Sequence, residues 1–345
     1  MPLPLVPIHT MNAPIELLSQ ELADRSFVPK DRSLFGERER PLIDSELSSL
    51  FALLDDPDER VARAVTERIL QRGRTSHHPS EVIAPLARFA KRTTNPLAKT
   101  RAEQISIEFN SAQLIVEFEA LACRLAEGNR RAFEDGLFLI ARFANPMLDV
   151  TALRAELDGF ARMLNHRLAG LSSALEILDE VNHFFFEDLR FRGNQAKFLE
   201  QENSYIDCVI ERRTGIPISL ASVYLLIVRS RLGLPFSGAS APGHFLVRYD
   251  GLRGDPLFID AFNAGVILRE RDIKHYLNSS GLPYHRQFLD PAPPRAILLR
   301  MIRNLIIVFT EHDNPLARAA FERFMMILAP NAEEGQAFLR GLDQP

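Results

Sequence analysis

The sequence predicts an α+β fold that is mainly helical, in which a buried central helix packs on a small antiparallel sheet. Apolar residues recur at helical spacing over most of residues 44–186 and again over 296–328. Residues 219–231 are apolar in nearly every helical direction, which indicates burial on all sides. Two runs of β-forming residues, 244–249 and 257–262, flank a turn-rich segment and supply the sheet.

The N-terminal third divides into two predicted parts. Residues 1–40 contain several prolines and a charged run, which predicts an irregular arm. Residues 41–130 are predicted to be helical, and their first two helices resemble a HEAT-type hairpin that turns at residues 55–58. Because stable arrays need about three repeats, we expect this region to act as a helical cap on the core.

A short turn, Thr-Gly-Ile-Pro-Ile-Ser at residues 214–219, introduces the central helix. Glycine suits the left-handed position that ends one helix, and proline is tolerated in the first turn of the next. Ser219 is therefore predicted to lie at or next to the N-cap. A serine there stabilises a helix by ~1 kcal/mol without any chemical role.

A β-hairpin follows, with His244 on its first strand and Asp260 on its second. If the hairpin is centred on Leu252, Leu246 lies opposite Phe258, and the histidine lies opposite the aspartate. Directly opposed residues have Cβ atoms roughly 4.5–5.5 Å apart, within reach of an imidazole–carboxylate contact. The sequence therefore predicts a His–Asp pair on one face of the hairpin.

A long, specific motif carries a resemblance to a known family. It reads NSYIDCVIERRTGIPISLASVYLLIVRSRLGLP at 203–235, PGHFLVRY at 242–249 and IDAFNAG at 259–265. The motif resembles the transglutaminase-like core of the bacterial SirB-one-type family, in which helices precede the core and a tetratricopeptide-like tail follows. The resemblance implies a transglutaminase- or papain-like core over 131–290 and a tetratricopeptide-like helical hairpin over 291–345.

The resemblance also implies a degenerate catalytic triad. Ser219 falls at or within one position of the catalytic cysteine of transglutaminases, His244 falls on their histidine, and Asp260 on their aspartate. In such a triad these residues act as nucleophile, general base and orienting group. The family commonly has serine at this position, but Ala261 and Ala264 replace the proline and glycine that it tends to have.

Three functions fit this pattern. The leading one is a non-catalytic or regulatory protein that binds a protein or peptide, because a helix N-terminus favours a thiolate but cannot produce an alkoxide. The first alternative is an acyl hydrolase or amide-transferring enzyme that uses the Ser-His-Asp arrangement, and the second is a purely structural scaffold. If the catalytic scaffold is preserved, a cysteine introduced at position 219 should react faster than Cys123 or Cys208.

The candidate binding residues are Asn203, Tyr205, Arg212 and Asn263. Each also has a structural interpretation. Arg212 lies where a basic side chain compensates the dipole at a helix C-terminus. Asn263 is placed either to hold the turn that follows the second strand or to orient the histidine.

Composition argues against several classes of function. The chain has 345 residues, 46% of them hydrophobic, so it can bury a substantial core. Its net charge of −4 gives no reason to expect nucleic acid or an anionic membrane as a partner. The two cysteines are far apart, so neither a disulfide framework nor a metal site is indicated. No run reaches the ~18 apolar residues of a membrane span, and we expect a cytoplasmic protein without a cofactor.

Overall fold

The computed structural model describes residues 45–76, 80–329, 331 and 333–336. The irregular arm predicted over residues 1–40 lies outside these residues. The described part is mostly helical with one small sheet, which confirms the predicted α+β class.

Four helices form the N-terminal part of the described chain: α1 (Ser45–Ala52), α2 (Glu59–Thr75), α3 (Ser80–Arg92) and α4 (Pro96–Ala126). Helix α4 begins where the Asn95 side chain accepts hydrogen bonds from the backbone of Leu97 and Ala98, with proline at the first helical position. Its first half closes a small hydrophobic cluster with α1 to α3, whereas its second half enters the main core. Helix α4 therefore joins the two hydrophobic clusters.

The central and C-terminal helices surround the main core: α5 (Ala132–Ala144), α6 (Val150–Leu168), α7 (Ala174–Asn182), α8 (Ile206–Arg212), α9 (Pro217–Val228), α10 (Glu270–Ser279), α11 (Pro294–Glu311) and α12 (Pro315–Leu328). All twelve residues of α9 are buried, which confirms the predicted central helix. It ends at Val228, three residues earlier than predicted, and the chain then turns through Gly233 at a φ of +67°.

Seven short strands complete the described fold: β1 (Arg192–Gly193), β2 (Thr214–Gly215), β3 (Phe236–Ala239), β4 (Leu246–Tyr249), β5 (Leu257–Asp260), β6 (Val266–Leu268) and β7 (Pro291–Ala292). Strands β1 and β2 form a two-residue parallel pair beside the start of α9. The other five make an antiparallel sheet in the order β6-β5-β4-β3-β7. One face of this sheet packs on α9 in the main core, and the other packs on α10.

The hairpin register differs from the prediction by two residues. Val247 pairs with Ile259 and Arg248 pairs with Phe258, so the predicted Leu246–Phe258 pairing is wrong. The connection between β4 and β5 is a long loop rather than a tight turn, so the symmetry of the sequence does not fix its centre. A shift of two residues leaves every side chain on its predicted face, because the side-chain period of a strand is two.

The C-terminal helices share the main hydrophobic core. The ring of Phe324 on α12 stacks on Phe118 of α4 at 4.4 Å, and Leu298 of α11 lies against Gly136 of α5. The boundaries predicted at residues 130 and 290 stay predictions, but no separate core underlies α11 and α12 in the described residues. None of the described helices has the combination of length and apolar character needed to cross a membrane.

Candidate functional site

Ser219 is the third residue of α9, and its side chain is fully buried. Its Oγ accepts a hydrogen bond from the backbone N–H of Ile216 at 3.0 Å and donates to the carbonyl oxygen of Asn203 at 2.6 Å. The first N–H groups of a helix have no intrahelical partner, so this hydroxyl satisfies one of them. The residue predicted at or next to the N-cap thus acts as a capping residue from within the first turn.

This geometry does not place Ser219 as a nucleophile. Its hydroxyl lies within hydrogen-bond distance of two backbone carbonyl oxygens, those of Asn203 at 2.6 Å and Ile216 at 3.1 Å, and the residue has no solvent exposure. Burial of Ser219 argues against fast labelling of a cysteine introduced there, and the reactivity of Ser219→Cys stays a prediction. Nearby, burial, followed by Asp207 and Glu202, raises the pKa of Cys208 to about 12, so its thiol is protonated at neutral pH.

Asn203 is fully buried and anchors the loop of residues 194–200, called the 194–200 loop below. Its Nδ2 donates to the carbonyl oxygens of Lys197 at 2.7 Å and Phe198 at 3.2 Å, and its Oδ1 accepts from Asn194 at 3.0 Å. All polar groups of its amide are therefore used inside the protein. Asn203 thus has a structural role that links Ser219 to this loop, and its predicted role in binding stays a prediction.

Two other candidate binding residues are also structural. Tyr205 is 1% exposed, and burial, followed by Glu202, raises the pKa of its hydroxyl well above the ordinary range. Arg212 donates to Glu200 at 3.0 Å and so ties α8 to the 194–200 loop. The Tyr205 hydroxyl is buried without a hydrogen-bond partner, the Arg212 side chain is 37% exposed, and their predicted roles in binding stay predictions.

The predicted His244–Asp260 pair is present. Nε2 of His244 lies 2.8 Å from Oδ1 of Asp260, although the ring N–H is poorly aligned for a hydrogen bond. The contact is therefore an ion pair when the imidazole is protonated. His244 lies two residues before β4, while Asp260 is the last residue of β5, so the pair sits at one end of the sheet.

Asp260 is held as a carboxylate by its own loop. Its Oδ1 accepts from the backbone N–H groups of Phe262 and Asn263, and its Oδ2 accepts from Nδ2 of Asn263 at 2.8 Å. Burial acts most strongly and raises the pKa of Asp260, but His244 and Asn263 together outweigh it, and the net pKa lies below the ordinary value. Of the two roles considered for Asn263, holding the turn is the one observed.

Ala264 lies in the turn after Asn263, at a position where the family that the sequence resembles tends to have glycine. Ala264 adopts a φ of +52°, in the left-handed region, followed by Gly265 at +78°. A residue with a Cβ is destabilised there by roughly 1–2 kcal/mol, so glycine would be the less strained residue at this position. The alanine is tolerated, and the loop still delivers the donors to Asp260.

Arg300 belongs to the site but was missed from the sequence. This α11 residue donates to Ser240 Oγ at 2.6 Å, to the Ala241 carbonyl oxygen at 3.0 Å and to the His244 carbonyl oxygen at 2.9 Å. It lies far from the motif in the chain, within a helix that was assigned to the tail. The available signal was weak: Arg300 lies between Leu299 and Met301, but α11 also contains Arg295 and Arg303.

No group of three or more His, Cys, Asp or Glu side chains is arranged to hold a metal ion in the part of the chain that the structure describes. The predicted site residues therefore form two separate groups: Ser219 with Ile216 and Asn203, and Asp260 with His244 and Asn263.

Comparison with known proteins identifies the core. Residues 151–303 match a family model described as a transglutaminase-like superfamily, which overlaps most of the predicted core. A UPF0162 protein of Xylella fastidiosa is 36% identical over 207 residues, which cover 57% of this chain and 71% of that protein. No solved structure matches the chain significantly.

Two further relatives share this core. Human F-box only protein 21 is 27% identical over 204 residues, which cover 51% of this chain and 32% of that protein. Protein SirB1 of Salmonella typhimurium is 23% identical over 182 residues, which cover 52% of this chain and 67% of that protein. The chain therefore belongs to the family of UPF0162 proteins, with a transglutaminase-like domain and homology to SirB1.

Proposed function

We propose that this chain is a non-catalytic member of its family that binds a protein or peptide partner. The observation that supports this most directly is the buried Ser219 hydroxyl, whose hydrogen bonds go to Ile216 and Asn203. A serine nucleophile needs a general base within hydrogen-bond reach of its proton. Here a backbone carbonyl oxygen occupies that position.

Energetics disfavour a rearrangement that would activate this serine. Turning Oγ toward His244 would leave the Ile216 N–H and the Asn203 carbonyl without a partner. Each buried polar group left unpaired costs about 1–3 kcal/mol. A helix N-terminus stabilises an adjacent anion by at most ~2 kcal/mol. This gain does not offset that loss, and it does not convert an alcohol into an alkoxide. The acyl-transfer alternative therefore requires a different conformation of the α9 N-terminus.

The surface proposed for partner binding is formed by Phe198 and Leu199 and is called the Phe198 surface below. Their side chains are 39% and 38% exposed. The Phe198 ring packs edge-on against Phe262 at 5.9 Å, and Phe262 in turn contacts the His244 ring at 6.4 Å. Apolar side chains held by packing lose little conformational entropy when a partner binds, which favours their use as contacts.

The chemistry of the partner follows from the Phe198 surface. Two adjacent apolar side chains favour a peptide segment that brings at least one large apolar side chain of its own. Lys197 and Arg212 both contact Glu200 beside them, so one carboxylate offsets part of the positive charge at the rim. We therefore propose a peptide recognised by apolar contact rather than by charge. A cytoplasmic location without nucleic acid or membrane partners is part of this proposal, and it rests on composition alone.

The enzymatic alternative has a direct test. Purified wild-type protein is incubated with a chromogenic acyl ester, alongside Ser219→Ala and His244→Ala. We expect the wild type to hydrolyse the ester no faster than either variant. Turnover by the wild type that is lost in both variants would establish the acyl-transfer mechanism and refute the proposal.

The binding proposal is tested with peptides selected from a random display library on the full-length chain. For the tightest synthetic peptide, we expect Leu199→Asp to weaken binding at least tenfold, which corresponds to about 1.4 kcal/mol. Leu175→Asp is the matched control, since Leu175 is a 52% exposed leucine in the first turn of α7. Failure to select any peptide, or equal affinity for both variants, would leave the scaffold alternative as the better account.

A further inference from the structure

Arg300 makes its three hydrogen bonds to one segment, residues 240–244, called the His244 loop below. The acceptors are Ser240 Oγ and the carbonyl oxygens of Ala241 and His244. The guanidinium also lies 5.7 Å from the centre of the Phe245 ring. Arg300 thus contacts the His244 loop both before and after Gly243.

These contacts differ from those of an ordinary ion pair. All three acceptors are uncharged, and burial, followed by the charge of Arg303, lowers the pKa of Arg300 to about 10. Most other arginines around the core pair with carboxylates, as Arg231 does with Glu134 and Asp158. A planar guanidinium can bind several acceptors in a fixed geometry, which a flexible ammonium group cannot match. Arg300 is therefore suited to hold a backbone conformation.

We propose that Arg300 is a positioning residue that sets the place of His244 against Asp260 and thereby couples α11 to the His–Asp pair. The coupling is mechanical, because α11 packs against α12 and α5 in the main core while its Arg300 holds the His244 loop. This inference does not rest on the proposed function, because His244 would need the same position whether it acted as a general base or contacted a partner. It predicts that a shift of α11 displaces the imidazole.

The test is Arg300→Met, with the titration of the Asp260 carboxyl carbon followed by NMR. His244 lowers the pKa of Asp260 and burial raises it, so losing the imidazole from its position should move this pKa upward. The nuclear Overhauser contact between the His244 and Phe262 rings should also disappear, because their centroids are 6.4 Å apart only while the loop is held.

The matched control is Arg295→Met on the same helix. Arg295 also donates to backbone carbonyl oxygens, those of Leu328 and Ala122, away from the His–Asp pair. We expect it to lower thermal stability while leaving the Asp260 titration unchanged. Arg300→Lys keeps the positive charge but loses the planar guanidinium, so it should raise the pKa of Asp260 by less than Arg300→Met does. If Arg300→Met does not fold, Arg300→Lys serves as the test. Folded Arg300 variants with an unchanged titration and an intact ring contact would overturn the proposal.

Discussion

Replacing Ser219 by alanine should lower the free energy of unfolding by about 2–3 kcal/mol. The substitution removes the acceptor for the Ile216 N–H and the donor for the Asn203 carbonyl, both in a fully buried environment. Two unpaired buried groups cost about 1–3 kcal/mol each, and the higher helix propensity of alanine returns roughly 0.5 kcal/mol. Urea unfolding followed by circular dichroism measures the difference as a shift in the transition midpoint.

Ser222→Ala is the matched control for that measurement. Ser222 is also fully buried in α9, but its Oγ donates to the Ile218 carbonyl oxygen one turn earlier at 2.7 Å. That carbonyl belongs to the hydrogen-bond ladder of the helix, so removing the hydroxyl leaves no group without a partner. We expect a change within about 1 kcal/mol.

The difference in stability between Ser219→Ala and Ser222→Ala tests whether Ser219 is a structural residue or a nucleophile. Catalytic groups are commonly replaced with little loss of stability, and sometimes with a gain, because a functional site is not optimised for stability. A Ser219→Ala protein as stable as Ser222→Ala would therefore contradict the assignment of Ser219 as a capping residue and would reopen the triad hypothesis.

The sequence predicted those parts of the fold that depend on local pattern. The burial of α9 followed from apolar residues in every helical direction. The His244–Asp260 pair was also found, although the predicted register was wrong by two residues. The pair was predicted despite this error, because a register shift by an even number of residues leaves each side chain on the same face of its strand.

The parts that could not be predicted depend on contacts between distant segments. The direction of the Ser219 hydroxyl is set by the Asn203 carbonyl, which belongs to a loop before α8. The His244 loop is held by Arg300, whose position is determined only when α11 packs into the core. Local periodicity carries no information on which carbonyl oxygen a distant side chain will meet.

These contacts explain why candidate residues chosen for binding are structural. Asn203 and Arg212 were selected because they lie in the motif, and both hold the 194–200 loop in place. A motif of this kind therefore preserves the shape of the surface as well as any chemistry. In the proposed function, the side chains that contact a partner are Phe198 and Leu199. Both lie outside the motif, and residues of the motif hold their loop in position.

Asn203→Ala should loosen the 194–200 loop and lower stability by about 1–3 kcal/mol. The part-buried carbonyl oxygen of Phe198 loses its Asn203 donor, at a cost of about 1–3 kcal/mol, whereas that of Lys197 keeps the backbone N–H of Glu200 at 3.3 Å. Local opening should follow where Asn203 held the backbone at Lys197 and Phe198, because stability differs between regions of a protein, while Arg212 still ties the loop to α8 through Glu200. Limited trypsin digestion measures this at Lys197, whose side chain is 71% exposed, and we expect faster cleavage there and weaker binding of the selected peptide.

Asn110→Ala controls for the loss of global stability. Asn110 is 3% exposed and its Nδ2 donates to the carbonyl oxygens of Arg142 and Phe143, which reproduces the bonding of Asn203 at a different place. Both variants should lose similar stability, but only Asn203→Ala should speed cleavage at Lys197. If both speed it equally, opening of the loop follows global unfolding, and the proposed role of the Asn203 amide in holding the Phe198 surface is wrong. If only Asn203→Ala does so, the Asn203 amide holds the proposed Phe198 surface in place, while the bond from Ser219 to the Asn203 backbone carbonyl is kept in this variant.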